Sequence, residues 1–258
     1  MTFGATKIKS NYADLLHTDN ANDGLSTTTK TIKTGKGTSS SLGLSTVKAL
    51  VKPASDGTSI FEVQDKDANT LFEVDSTNNR VKALGNDLNI GIKEFSLFDF
   101  SPTAGYHNPM ICNPVMSGGD AVIVEDTSAF SNGANPATSL DLSANGTPKT
   151  MLACMWLVPN NLTVTQVRAL VTADANQNMK LSVYSYALDT SSNPGDLSGG
   201  VRVAYTGSIS ATVTTIKTET ATLDNVNISA SRVVVALCEA ETDTSDITAN
   251  LILKYYLT

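Results

Sequence analysis

The feature that most constrains the fold is a near-repeat: Ile60-Phe61-Glu62-Val63 returns eleven residues later as Leu71-Phe72-Glu73-Val74, with an Asp/Asn-rich turn between. Alternate side chains of a strand point to opposite faces, so each copy puts Phe and Val on one side and Glu on the other. Asp65-Lys66-Asp67-Ala68-Asn69 consists of residues that favour turns, because short polar side chains bond nearby backbone and tolerate left-handed φ. The pattern continues through Asp75-Ser76-Thr77-Asn78-Asn79 into Arg80-Val81-Lys82-Ala83-Leu84. Three such short strands bury too little apolar surface to stand alone, so they need neighbours, and copies of the same chain are the simplest source. The pattern predicts a short-stranded, oligomerising β stem over 55–92. Its interface would hold Ile60, Phe61, Val63, Leu71, Phe72, Val74, Val81 and Leu84.

Charge divides the chain. Its first 50 residues carry six Lys and three Asp, a local charge of +3, while the whole chain stands at -7, leaving -10 for the rest. A basic arm over 1–54 with an acidic body is expected, the arm anchoring the protein through Lys7, Lys9, Lys30, Lys33 and Lys36. These Lys are scattered among Thr and Ser, with no Arg and no run of cations, which points to an acidic protein surface and away from nucleic acid. The Ser/Thr-rich run over 26–41 cannot offset its own ordering entropy, so the arm is read as extended and ordered only against another chain.

From 93 to 258 the strands lengthen. Candidates are 95–100, 121–124, 151–158, 162–173, 180–188, 201–208, 213–223, 232–239 and 247–257, with a loop over 127–149. Leu181, Val183, Ser185 and Ala187 alternate with Lys180, Ser182, Tyr184 and Tyr186, whereas Arg232 to Cys238 is apolar on both faces, as in a central strand covered twice. The fold class expected is all-β, ending in an antiparallel β-sandwich of jelly-roll type.

Residues for catalysis are few. Two histidines are present, His17 in the arm and His107 in an expected loop; there is no G-x-S-x-G, and Gly35-Lys36-Gly37-Thr38 lacks the spacing of a phosphate loop. Asp65, Asp67 and Asn69 match the start of a calcium loop, but Thr70 and Ser76 stand where Gly and the bidentate Glu belong, so a turn is expected. Cys112, Cys154 and Cys238 read as buried thiols. Neither an enzyme nor a metal or cofactor is expected. Trp156, Tyr184, Tyr186 and Tyr205 lie on expected strands and are candidates for contact with a glycan. No leader and no apolar stretch approaching ~18 residues is seen, so membrane insertion is not expected.

The run from Gly37 to Pro53, followed by Ile60-Phe-Glu-Val-Gln-Asp65 and Leu71-Phe-Glu-Val-Asp-Ser-Thr-Asn-Asn-Arg-Val81, resembles the N-terminal halves of virion fibre and appendage proteins of tailed bacteriophages. The Val158-Pro-Asn-Asn-Leu-Thr163 pattern resembles the sandwich domains that end such proteins, and similar motifs recur in capsid decorations. The resemblance implies a homotrimer made in the host cytoplasm and carried on the virion. Its N-termini would be fixed to other virion proteins, short strands of three chains would wind into a prism, and terminal domains would face a host-surface glycan or protein. A capsid-decorating or adaptor protein, and a carbohydrate-binding module, are the alternatives.

Overall fold

The computed structural model describes residues 16–18, 24–112, 130–142, 148–241 and 245–258, with backbone alone for 148–150. The chain divides into two compact units, 1–89 and 90–258.

The first unit holds two antiparallel sheets. β1 (His17–Thr18), β2 (Lys30–Lys33), β3 (Ser39–Leu44) and β4 (Ala49–Val51) pair in that order. The described part of the expected extended arm therefore contains a four-stranded sheet. Thr is β-branched and fits a pleated strand, and Ser and Thr hydroxyls stabilise the turns that bring such strands together. Ser45 Oγ accepts from the N–H groups of Val47 (3.2 Å) and Lys48 (3.0 Å), and Thr34 Oγ1 accepts from Thr38 N–H (3.1 Å). Lys30 and Lys33 lie on β2 and Lys36 in the following turn, whereas Lys7 and Lys9 lie outside the described residues.

The second sheet is a meander of β5 (Phe61–Gln64), β6 (Thr70–Asp75), β7 (Arg80–Ala83) and β8 (Asn86–Asp87), one strand more than the sequence pattern predicted. Its turns are made by the expected residues. Asp65 Oδ1 accepts from the N–H groups of Asp67 and Asn69, both at 2.9 Å, and Ala68 is left-handed (φ 64°). The last turn, Leu84-Gly85, joins the paired residues Ala83 and Asn86 with both φ positive (49° and 76°), the two-residue geometry that matches strand twist.

The second unit is a two-sheet β-sandwich with a third layer on one side. β9 (Ile90–Phe100), β19 (Ile247–Leu257), β12 (Leu162–Ala173) and β15 (Lys217–Thr220) form one sheet in the order β15-β12-β19-β9, with short β17 (Asn227–Ile228) beside β12. The other runs β10 (His107–Pro109), β18 (Arg232–Ala240), β13 (Gln177–Leu188), β14 (Leu197–Ala211), β16 (Thr222–Leu223), and β11 (Trp156–Leu157) shares an edge of β18 with β10. Taking β9, β10, β12, β13, β14, β15, β18 and β19 in chain order gives 1-8-3-6 in one sheet and 2-7-4-5 in the other. Only β13 and β14 are consecutive neighbours; the other connections in this series pass from sheet to sheet.

Between the sheets lies the main core, where Phe95, Val167, Val171 and Leu253 meet Leu181, Val183, Val234 and Cys238. The outer face of the β18 sheet is also buried: Tyr184, Tyr186, Val233, Val235 and Leu237 pack under Phe130, Leu140, Leu142, Met151 and Met155. The double apolar pattern of β18 thus corresponds to burial on both sides.

Met151 and Met155 come from a departure from expectation. Residues 151–158, read as a strand, begin in the helix α1 (Pro148–Cys154), and only Trp156–Leu157 pair as a strand. A short apolar run does not distinguish strand from buried helix. The expected strand 213–223 is broken: β15 joins one sheet and β16 the other, with buried Ala221 between them. The expected strand 121–124 lies outside the described residues, and residues 90–92, counted with the stem, open β9. No helix among the described residues is long and apolar enough to cross a membrane.

Candidate functional site

Two surfaces carry the residues singled out in the sequence. The first is one face of the β5–β8 meander. Phe61 lies opposite Val74 and Val63 opposite Phe72, and β7 continues the rows with Val81 opposite Val74 and Ala83 opposite Phe72. Directly paired residues share a face, so all six apolar side chains lie together. The Phe61 and Phe72 rings meet edge to face at 6.2 Å and 73°. Even so, Phe61 and Val63 are each 42% exposed.

The opposite face is ionic. Lys82 Nζ lies 2.8 Å from Glu73 Oε1 and 3.8 Å from Asp75 Oδ2, and the Glu73 bond holds the ammonium above its ordinary value. The remaining candidates stand elsewhere. Ile60 precedes β5, Leu71 is the extra residue of a bulge in β6, and Leu84 is a 71% exposed turn residue with positive φ. A bulky side chain is strained there.

The second surface is a polar cleft in the second unit, where β13, β14 and the end of β18 meet residues 134–138. Its narrow end is lined by His107, Asn135, Pro136, Lys180, Ser182, Tyr184, Arg202, Tyr205 and Glu239, and it continues past Thr138, Gly200, Asp224 and Asn225. Charges here are matched. Lys180 Nζ stands 2.8 Å from Glu241 Oε1 and 3.6 Å from Glu239 Oε2; the Glu241 bond raises the Lys180 pKa, and Lys180 lowers that of Glu241. Arg202 Nε donates to Asp224 Oδ2 at 2.5 Å, and its guanidinium lies 5.0 Å from the Tyr205 ring centroid. Burial lifts the Tyr184 phenol above its ordinary value.

His107 is not a loop residue. It sits on β10, 3% exposed, with Nε2 2.8 Å from Gly133 O and Nδ1 3.9 Å from Glu239 Oε2.

Of the four aromatic candidates, Tyr184 and Tyr205 meet in the cleft. Tyr186 does not reach solvent: it is fully buried and donates to Ala137 O at 2.9 Å, because the layer above the sheet covers it. Trp156 lies apart, its ring 5.1 Å from that of Tyr255 against the main core. Sequence reasoning passed over Lys180, Arg202, Asp224 and Glu239 as cleft residues. Glu239, a carboxylate following the apolar run Val233 to Cys238, was the available signal.

Cys112, Cys154 and Cys238 are buried, and burial pushes their thiols up to about 11, 12 and 12. Asp99, Asp174 and Asp246 place carboxylate oxygens within 4.8 Å of one another at one end of the sandwich.

No family model matches the chain, and no curated protein sequence does. Among solved structures, a chain in the structure of infectious bursal disease virus, Gx strain, is similar at 9% identity over 69% of this chain and 34% of that one, with a TM-score of 0.29. A chain of Desmodium yellow mottle tymovirus is similar at 10% identity over 66% of this chain and 87% of that one, with a TM-score of 0.22. This chain spans about a third of the length of the first.

Proposed function

We propose that the chain is a non-enzymatic structural protein of a tailed-phage particle, a homotrimeric fibre or appendage subunit. Its first unit anchors and trimerises, and its second is displayed to a host surface or another fibre component. The observation that carries this reading is the β5–β8 meander, whose six in-register apolar side chains form one face that stays partly exposed in the single chain. Covering a Phe or Val fully contributes about 1.5–3 kcal/mol per side chain, and threefold repetition of such a face in a closed ring leaves none of the copies open. It also removes free strand edges that invite aggregation.

The strand order 1-8-3-6 on 2-7-4-5 supports a jelly roll for the second unit. Jelly rolls serve in both viral shells and lectins, which favours a capsid-decorating protein as the second reading. Sedimentation of the full chain beside a chain beginning at Ile90 tests the proposal. A trimer for the first and a folded monomer for the second is expected; monomers for both would remove the fibre reading and leave decoration.

A further inference from the structure

The geometry points to a binding site for a single neutral sugar unit in the cleft between β13, β14 and residues 134–138. The inference deepens the adhesive part of the proposed function and rests on it only for the source of the sugar, a glycan of the host surface.

Three features define the ligand. First, the cleft is rich in unused hydroxyls: among the described residues, those of Ser182, Tyr184 and Tyr205 form no hydrogen bond, although Tyr184 is only 4% exposed and Ser182 is buried. A hydroxyl both donates and accepts, so this set suits a ligand whose own groups are hydroxyls. Second, each cation has its carboxylate, Lys180 with Glu239 and Glu241 and Arg202 with Asp224, so no excess positive charge remains for an anion. Third, the narrow end has a directional demand. His107 Nε2 faces the Gly133 carbonyl and must carry the proton there, which in the neutral ring leaves the lone pair on Nδ1. That nitrogen stands 3.9 Å from a Glu239 oxygen, and since both are acceptors neither satisfies the other.

The space beside them, about 20 Å³, takes one water or one hydroxyl. A sugar hydroxyl placed there donates its one proton to Nδ1 or to the Glu239 carboxylate. Its ring then lies in the open part of the cleft beside Arg202, Asp224 and Asn225, and its other hydroxyls bond those of Tyr184 and Tyr205.

The test is saturation-transfer NMR on the full-length chain with methyl glycosides of glucose, galactose, mannose and N-acetylglucosamine, and with N-acetylneuraminic acid as the acidic probe. Binding of at least one neutral glycoside, weakened about tenfold in Tyr184→Phe with Tyr205→Phe, is expected. Both substitutions keep the ring, and a melt of each variant beside the parent confirms its fold. Binding of none of the neutral probes, preference for the acidic one, or equal affinity in the double variant would overturn the site. Light scattering on the same sample reads trimer or monomer independently, so loss of sugar binding and loss of the stem are told apart.

Discussion

The Asp75 carboxylate is bonded twice by Asn78, accepting from its backbone N–H at 2.9 Å and from its side-chain amide at 2.8 Å. Asp65 and Asn69 repeat the arrangement one turn earlier, at 2.9 Å and 3.0 Å. The near-repeat in sequence is thus a repeat in turn construction, and the turns set the register that gathers Phe61, Val63, Phe72, Val74, Val81 and Ala83 on one face.

These turns make the first unit acid-sensitive. The Asn78 side chain foremost holds the Asp75 carboxyl below its ordinary value of 3.8, and Asn69 does the same for Asp65. A carboxyl with a lowered folded pKa stabilises the fold fully above its unfolded pKa, and that contribution is lost as pH falls through the folded value. Circular-dichroism melts are expected to be level from about pH 7 to 5 and to drop below about pH 4. The drop should shrink in Asp75→Asn; equal drops in both proteins would contradict the assignment.

Tyr186→Phe removes the hydroxyl that donates to Ala137 O and leaves the packing of a fully buried ring. A loss of about 1–2 kcal/mol is expected in denaturant titrations followed by the signal of the second unit. No change would mean that the 130–142 segment is not held through this bond.

Gly91 faces Tyr255 across the β9–β19 ladder, and a methyl group there would overlap the Tyr255 ring. That ring is itself fixed against Trp156 at 5.1 Å. Gly91→Ala is expected to cost about 1–3 kcal/mol, read from the same titrations; unchanged stability would show that the ring moves aside freely.

Thiol labelling reads the core. With thiols pushed to about 11 and 12 and shielded, Cys112, Cys154 and Cys238 should resist iodoacetamide at about pH 8 in the native protein and all react after unfolding. Native labelling at Cys238 would contradict the packing around β18.

Strands with strong alternation were legible in the sequence: Leu162–Ala173 and Ile247–Leu257 form over the residues expected, and the doubly apolar β18 lies in an all-β sandwich. Local chemistry failed where several structures suit the same residues. Met151 to Cys154 is apolar enough for a strand, and Pro148, favoured at a helix start, was the sign of α1. The Thr-rich run at 26–41 looked unable to order itself, yet it holds β2 and the start of β3, which pair from Lys33–Ser39 out to Lys30–Leu44. The cleft was the least legible part. It joins His107, Lys180, Arg202 and Glu239 through sheet pairing between distant strands, which spacing along the chain does not encode.

Light scattering of the full chain beside Phe61→Asp with Phe72→Asp tests the central claim, that the apolar β5–β8 face is closed by copies of the same chain. About three times the chain mass of 27.1 kDa is expected for the first, and a monomer with an intact second-unit melt for the variant. A monomeric parent, or a trimer that survives both substitutions, would contradict it.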